Sequence, residues 1–107
     1  MENSKFNLFI GRFQPLHKGH IKLIKTVLDE GKNVLVAIRD TPISETDPYT
    51  FEEREQMFKE QLPQVKVIKI PDIEAVCYGR KVGYKIREIK LDSETESISA
   101  TEIRKKL

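Results

Sequence analysis

Phe6-Asn7-Leu8-Phe9-Ile10-Gly11-Arg12-Phe13-Gln14-Pro15-Leu16-His17-Lys18-Gly19-His20 is the stretch from which the fold can be read. Its first five residues are almost wholly apolar and end at a glycine, the pattern of a buried strand. Residues 11–17 read as a turn containing Pro15. From Gly19 to Glu30 the apolar residues Ile21, Leu23, Ile24, Val27 and Leu28 recur at helical spacing. Gly31 stands where a helix-terminating glycine belongs. Asn33-Val34-Leu35-Val36-Ala37-Ile38 is a second, nearly continuous apolar run, which suits a parallel strand covered on both faces. The opening residues therefore predict strand, helix, strand, with a right-handed crossover.

The same reading extends along the chain. Residues 39–47 form a polar loop. Thr50 is an N-cap for a second helix, with Glu53 completing a capping box. Phe51, Met57, Phe58 and Leu62 supply the buried side of that helix, and Pro63 ends it. Residues 65–70 alternate enough to be a third strand near a sheet edge. Ala75-Val76-Cys77-Tyr78 reads as a short fourth strand closed by Gly79, with Cys77 in the core. Residues 80–84 read as a turn or short helical piece. Residues 85–91 alternate like a strand with one wet face, and residues 92–97 read as a polar loop. Ser99 caps a final helix, with Glu102 three residues on. The expected class is α/β: a parallel sheet with flanking helices in one domain, 1–107.

Composition limits the function. The chain of 107 residues carries a net charge of +2, too mild to imply a nucleic-acid partner, and none is expected. A weak contrary signal is the basic Arg104-Lys105-Lys106 run. The single cysteine excludes an intrachain disulfide and fits a reducing cytoplasm. No apolar run approaches the roughly 20 residues of a membrane span, and the N-terminus has no signal-peptide layout.

Ligands of open α/β sheets sit beyond the carboxyl ends of the strands, and the 11–20 turn follows the first strand. Gly11 lets the backbone approach a ligand, and the helix starting near Gly19 offers free N–H groups to an anion. His17 and His20, three residues apart at the helix entrance, direct two rings at one point. Such a junction suits phosphate chemistry, which requires positioning and electrostatic stabilisation more than a nucleophile.

His17-Lys18-Gly19-His20, preceded by Gly11-Arg12-Phe13-Gln14-Pro15, resembles the signature of the His-x-Gly-His nucleotidyltransferase superfamily. Ile98-Ser99-Ala100-Thr101-Glu102-Ile103-Arg104 resembles that superfamily's second motif. The resemblance implies a Rossmann-like sheet. It also implies transfer of a nucleoside monophosphate from an NTP to a small phosphate-bearing acceptor, with release of pyrophosphate and usually with Mg2+. Carried over residue by residue, His17 and His20 contact the α-phosphate, with Lys18 as a third candidate. Gly11, Arg12, Phe13 and Gly19 line the nucleotide site. Gly79 and Arg80 stand in the element that touches the nucleotide, although Lys81 replaces the acid found there in relatives. Ser99, Thr101 and Arg104 hold the β- and γ-phosphates. Arg39 and Arg54 are the candidates for the acceptor, Arg54 alternatively being a solvated helix residue.

The first motif, with Asp47-Pro48-Tyr49-Thr50-Phe51-Glu52-Glu53-Arg54, is most similar to the nicotinamide-mononucleotide adenylyltransferase branch, which uses ATP. The small size is closer to the CTP-dependent glycerol-3-phosphate cytidylyltransferase branch. ATP is favoured and CTP comes next, and a catalytically degenerate nucleotide-binding module is the further alternative. Relatives carry a helix where only residues 71–74 remain here. The fold is thus expected to be trimmed, with a homodimer supplying acceptor-binding parts.

Overall fold

A computed structural model describes residues 5–80 and 85–89. The element order is β1 (Phe6–Gly11), α1 (Lys18–Leu28), β2 (Asn33–Asp40), α2 (Phe51–Gln61) and β3 (Lys66–Pro71). The three strands form one parallel sheet in the order β1-β2-β3. Phe9 lies opposite Val36, and Val36 opposite Val67. All three strands end on the same side, so the loops after β1 and β2 share one rim.

Side chains alternate across a strand, so Val34, Val36 and Ile38 point to one face of β2. They pack in a single core with Ile24 and Val27 of α1 and Phe58 and Leu62 of α2. Both helices therefore lie on the same face of the sheet, with Phe9 and Val67 flanking. Each of these fully buried side chains stabilises the fold by roughly 1.5–3 kcal/mol.

The described residues cover one face of the sheet that was expected to be covered on both. Among the described residues the helices cover only one face, and Phe6, Leu8 and Ile10 of β1 are 48%, 54% and 36% exposed. Among the described residues β3 is an edge, as expected, and its Lys66, Lys69 and Pro71 are residues that discourage further pairing.

Two expectations are overturned. Residues 75–78 form no strand; Val76 and Tyr78 are exposed, and so is Cys77, which is not a core residue. Four apolar residues without a neighbouring strand have no ladder to join. Residues 85–89 are also irregular. They are tied down differently: Arg87 makes a bidentate ion pair with Glu30, and Ile89 rests half-buried on the core. The capped helix at Ser99 lies outside the described residues.

Helix ends follow the sequence closely. The Thr50 hydroxyl accepts from the Glu53 N–H at 3.1 Å, and the Glu53 carboxylate accepts from the Thr50 N–H at 2.9 Å. After α1, Gly31 adopts φ +78° and donates its N–H to the Leu28 carbonyl at 2.9 Å. A methyl at Gly31 would meet nothing within 4 Å. Gly31→Ala should thus cost about 1 kcal/mol through backbone conformation alone, measured as a lower denaturant midpoint at unchanged slope. An unchanged midpoint would mean that this turn carries no conformational demand.

Candidate active site

The rim above β1 is built from a turn whose residues each have a separate anchor. Gly11 ends β1. A side-chain carbon there would lie 3.1 Å from the Phe13 ring, so the space in front of Gly11 belongs to that ring. Phe13 holds φ 51°, a conformation costly for a bulky residue. Its ring contacts Phe58 edge-on at 5.0 Å and His20 edge-on at 4.8 Å. Phe13 thus connects the core directly to the second histidine.

The two histidines form the entrance to α1. His17 is the N-cap, with extended backbone. Its Nδ1 accepts from the Gly19 N–H at 3.0 Å, while the His20 Nδ1 accepts from the His17 N–H at 3.2 Å. This is a capping box made by two imidazoles. The rings stack at 3.7 Å with planes 20° apart. An Nδ1 that accepts carries no proton, so each neutral ring bears its proton on Nε2. Two N–H donors therefore sit side by side at a helix N-terminus, where backbone dipoles also favour an anion. Burial lowers the His17 pKa. Burial, then the neighbouring His17, lowers that of His20 to about 4. The Gly19 N–H, expected to be open to an anion, is instead spent on His17.

Around this pair the loop after β2 is fastened to the turn. Arg12 donates to the Asp47 carboxylate at 3.2 Å, and Asp47 is almost buried. Gln14, 2% exposed, donates to the Tyr49 carbonyl at 3.0 Å and accepts from the Tyr49 N–H at 2.9 Å. Lys18 is exposed on the first turn of α1, and no acidic residue lies in that turn.

The expected acceptor contacts are already engaged. Arg39 donates to Asp72 at 2.6 and 3.0 Å and to the Ile73 carbonyl at 3.1 Å. Arg54 is no solvated helix residue: its side chain is fully buried. It donates to the carbonyls of Arg12 and Arg39, each at 2.8 Å, and to that of Thr50 at 3.1 Å. A guanidinium with no solvent-exposed surface contacts no acceptor in this arrangement; it holds the ends of β1 and β2 together. Burial pulls its pKa down, opposed by Asp40, Asp47 and Glu52. Among the described residues, the buried Arg54 Nη2 and Thr41 Oγ1 have no hydrogen-bond partner.

Gly79 and Arg80 are exposed in the irregular segment after β3. Ser99, Thr101 and Arg104 lie outside the described residues. Gln14 and Asp47 were not foreseen as site residues, because each is defined by a partner 35 residues away. Among the described residues no helix is long and apolar enough to cross a membrane, and no three His, Cys, Asp or Glu side chains gather as metal ligands.

Comparison with known proteins gives the family and the fold. The family model described as cytidylyltransferase-like matches residues 8–83. A nicotinamide-nucleotide adenylyltransferase of Pyrococcus furiosus is 38% identical over 64% of this chain and 42% of its own length. That of Thermococcus sibiricus is 36% identical over 62% of this chain and 40% of its own. The chain thus spans about two-fifths of these curated relatives. A crystal structure of a bifunctional NMN adenylyltransferase/ADP ribose pyrophosphatase from Francisella tularensis, complexed with AMP and a manganese ion, superposes with a TM-score of 0.55. It shares 35% identity over 63% of this chain and 22% of that one. With a match across most of its residues, on a parallel sheet with the histidine pair at its rim, this chain belongs to the cytidylyltransferase-like family, with the Rossmann-like fold of its structural neighbour.

Proposed function

We propose that the protein is a nucleotidyltransferase that moves AMP from ATP to a small phosphate-bearing acceptor, of which nicotinamide mononucleotide is the first candidate. The observation that carries the reading is the imidazole capping box. It presents two oriented N–H donors beside a helix N-terminus. The names of the relatives favour adenylyl transfer.

In the reaction an acceptor phosphate oxygen attacks the α-phosphorus in line, and the bond from that phosphorus to the bridging oxygen of the β-phosphate breaks. Pyrophosphate leaves with the bonding pair. No covalent enzyme intermediate is needed, so the protein contributes position and charge. The Nε2–H groups of His17 and His20 donate to the non-bridging α-phosphate oxygens. Lys18 adds a positive charge at a helix start where a cation is otherwise unfavourable. Gly11, Phe13 and Gly19 shape the nucleotide side, with Gly79 and Arg80 approaching from beyond β3. Ser99, Thr101 and Arg104 take the leaving pyrophosphate. Arg12 and Arg39, already oriented by Asp47 and Asp72, use their remaining donors on the substrates. The divalent ion, Mg2+, enters as part of the nucleotide substrate, in keeping with the manganese and AMP named for the Francisella protein. A homodimer completing the acceptor side and a cytoplasmic setting belong to the same proposal.

Pyrophosphate release with each NTP in turn, with nicotinamide mononucleotide and then glycerol 3-phosphate as acceptor, tests the reading. Turnover of ATP is expected. Turnover of CTP alone would move the assignment to cytidylyl transfer, and binding of ATP without any turnover would leave a nucleotide-binding module. His20→Ala should lower kcat by about 10²-fold or more, as for loss of an oriented transition-state donor; an unaltered kcat would remove His20 from the chemistry. Arg104→Ala should raise the KM for ATP with little change in kcat, and an unmoved KM would leave this arginine without a substrate role.

The histidine pair also sets a pH dependence. The pKa of His20 lies lower in the folded chain, about 4, than the unfolded value of 6.5. The unfolded chain therefore binds more protons between these values, and stability falls as pH falls. The contribution is complete above pH 6.5 and lost towards pH 4. Urea unfolding across that window should show a loss of up to about 3 kcal/mol from this group, largely absent in His20→Ala. An equal loss in that variant would assign the effect to other groups.

A further inference from the structure

Three consecutive residues of the phosphate turn have three different attachments. Arg12 is held by Asp47, Phe13 by the core and the His20 ring, and Gln14 by the backbone of Tyr49. The Gln14 contact differs in kind from the others. One side-chain amide donates to a carbonyl and accepts from the N–H of the same residue, reproducing the reciprocal pair that two antiparallel strands exchange. It joins the loop that follows β1 to the loop that follows β2, between which no backbone–backbone bond runs among the described residues. Gln14 is 2% exposed, so its own amide has little access to water. Breaking the two bonds removes the partners that Gln14 gives the half-buried backbone of Tyr49.

We propose that Gln14 is a positioning residue for the histidine pair. Its amide fixes the turn against the 41–50 loop, and the turn in turn sets where His17 and His20 point. The connection is short. Phe13, the residue before Gln14, packs edge-on against the His20 ring, and His17 lies three residues after Gln14. When the amide pair opens, the turn is free to slide on Phe13, and the two rings lose their common direction. The 41–50 loop carries Asp47, which holds Arg12, and it begins after Asp40, next to Arg39 at the end of β2. Substrate binding on that side would therefore reach the histidines through Gln14. This coupling role extends the adenylyl-transfer reading, but the contact geometry does not depend on it.

Two variants test the proposal. Gln14→Glu keeps the length of the side chain and an acceptor for the Tyr49 N–H, and turns the donor to the Tyr49 carbonyl into a repelling oxygen. Gln14→Met keeps the length and removes both bonds. Ring carbon–proton resonances of His17 and His20, recorded by NMR on the free protein, are the deciding readout. In wild type they should carry the shifts of stacked rings beside Phe13. In both variants they should move towards values for isolated histidine, while the methyl resonances of Val34, Val36 and Ile38 stay in place. Unmoved ring resonances in either folded variant would overturn the proposal, because a residue that only stabilises the fold would lower the melting temperature and leave the rings alone. Should Gln14→Met not fold, Gln14→Glu decides. In the kinetic arm, kcat should fall on the order of 10-fold to 10²-fold, as for a small misplacement of reacting groups, with KM for ATP less affected. A wild-type protein that releases no pyrophosphate would defeat the functional reading, and the ring resonances would still decide the role of Gln14.

Discussion

The structure depends on a reciprocal bond between two histidines. The first N–H groups of a helix have no partner within it, and at α1 the Gly19 N–H and the N-cap's own N–H are satisfied by the Nδ1 atoms of His17 and His20. An imidazole can play this part only while its Nδ1 lone pair is free. The cap therefore sets the tautomer as well as the position, and the protons are left on the opposite nitrogens. Stacking at 3.7 Å aligns the two rings, and the edge of Phe13 fixes the pair against the core. Helix start, ring orientation and donor direction follow from one arrangement.

That arrangement holds because the strand ends behind it are stitched together. Arg54 places a buried cation between β1 and β2 and binds the carbonyls of Arg12 and Arg39. A buried charge is costly unless its donors are occupied. Here the carbonyls of Arg12, Arg39 and Thr50 occupy Nη1 and Nε, while Nη2 has no partner among the described residues. These three bonds offset part of the cost of burial. Gln14 does for the loops what Arg54 does for the strands. Neither contact resembles a hydrophobic anchor, yet both lie within a few residues of the helix entrance, where apolar packing alone would leave backbone groups unsatisfied.

Much of this was legible in the chain. The run from β1 to β3 follows from apolar periodicity, and Thr50 with Glu53 and Gly31 mark helix ends by chemistry that needs no distant partner. The histidine pair was visible as a pair, though His17 was not visible as a cap, because that role is ordinarily filled by short oxygen-bearing side chains. Contacts across the sequence were hidden. Gln14 and Asp47 are defined by residues 35 positions away. Burial was also hidden wherever it depends on a covering element, as at Phe6, Leu8, Ile10 and Cys77. Arg54 is an intermediate case. It lies on one helical stripe with Phe58 and Leu62, at steps of four residues, and all three are buried. The stripe was readable; the acidic neighbours of Arg54 made the helix look solvated there instead.

The cap also constrains how the proposed reaction would handle phosphate. A protonated histidine pair would attract an anion more strongly than a neutral one. Protonation at Nδ1, however, would replace each cap acceptor with a donor and set N–H against N–H at the start of α1. Burial acts in the same direction by disfavouring the charged ring. The two imidazoles are consequently built to give direction rather than charge. The positive potential must come from groups that cap nothing: the exposed Lys18, the half-exposed Arg12 held by Asp47, and the dipoles of α1. Under the proposed reaction these groups would attract an anion over a distance, and the neutral rings would select the geometry at which its oxygens are held. Separating attraction from alignment in this way keeps the helix entrance intact through the pH range in which histidine usually changes charge.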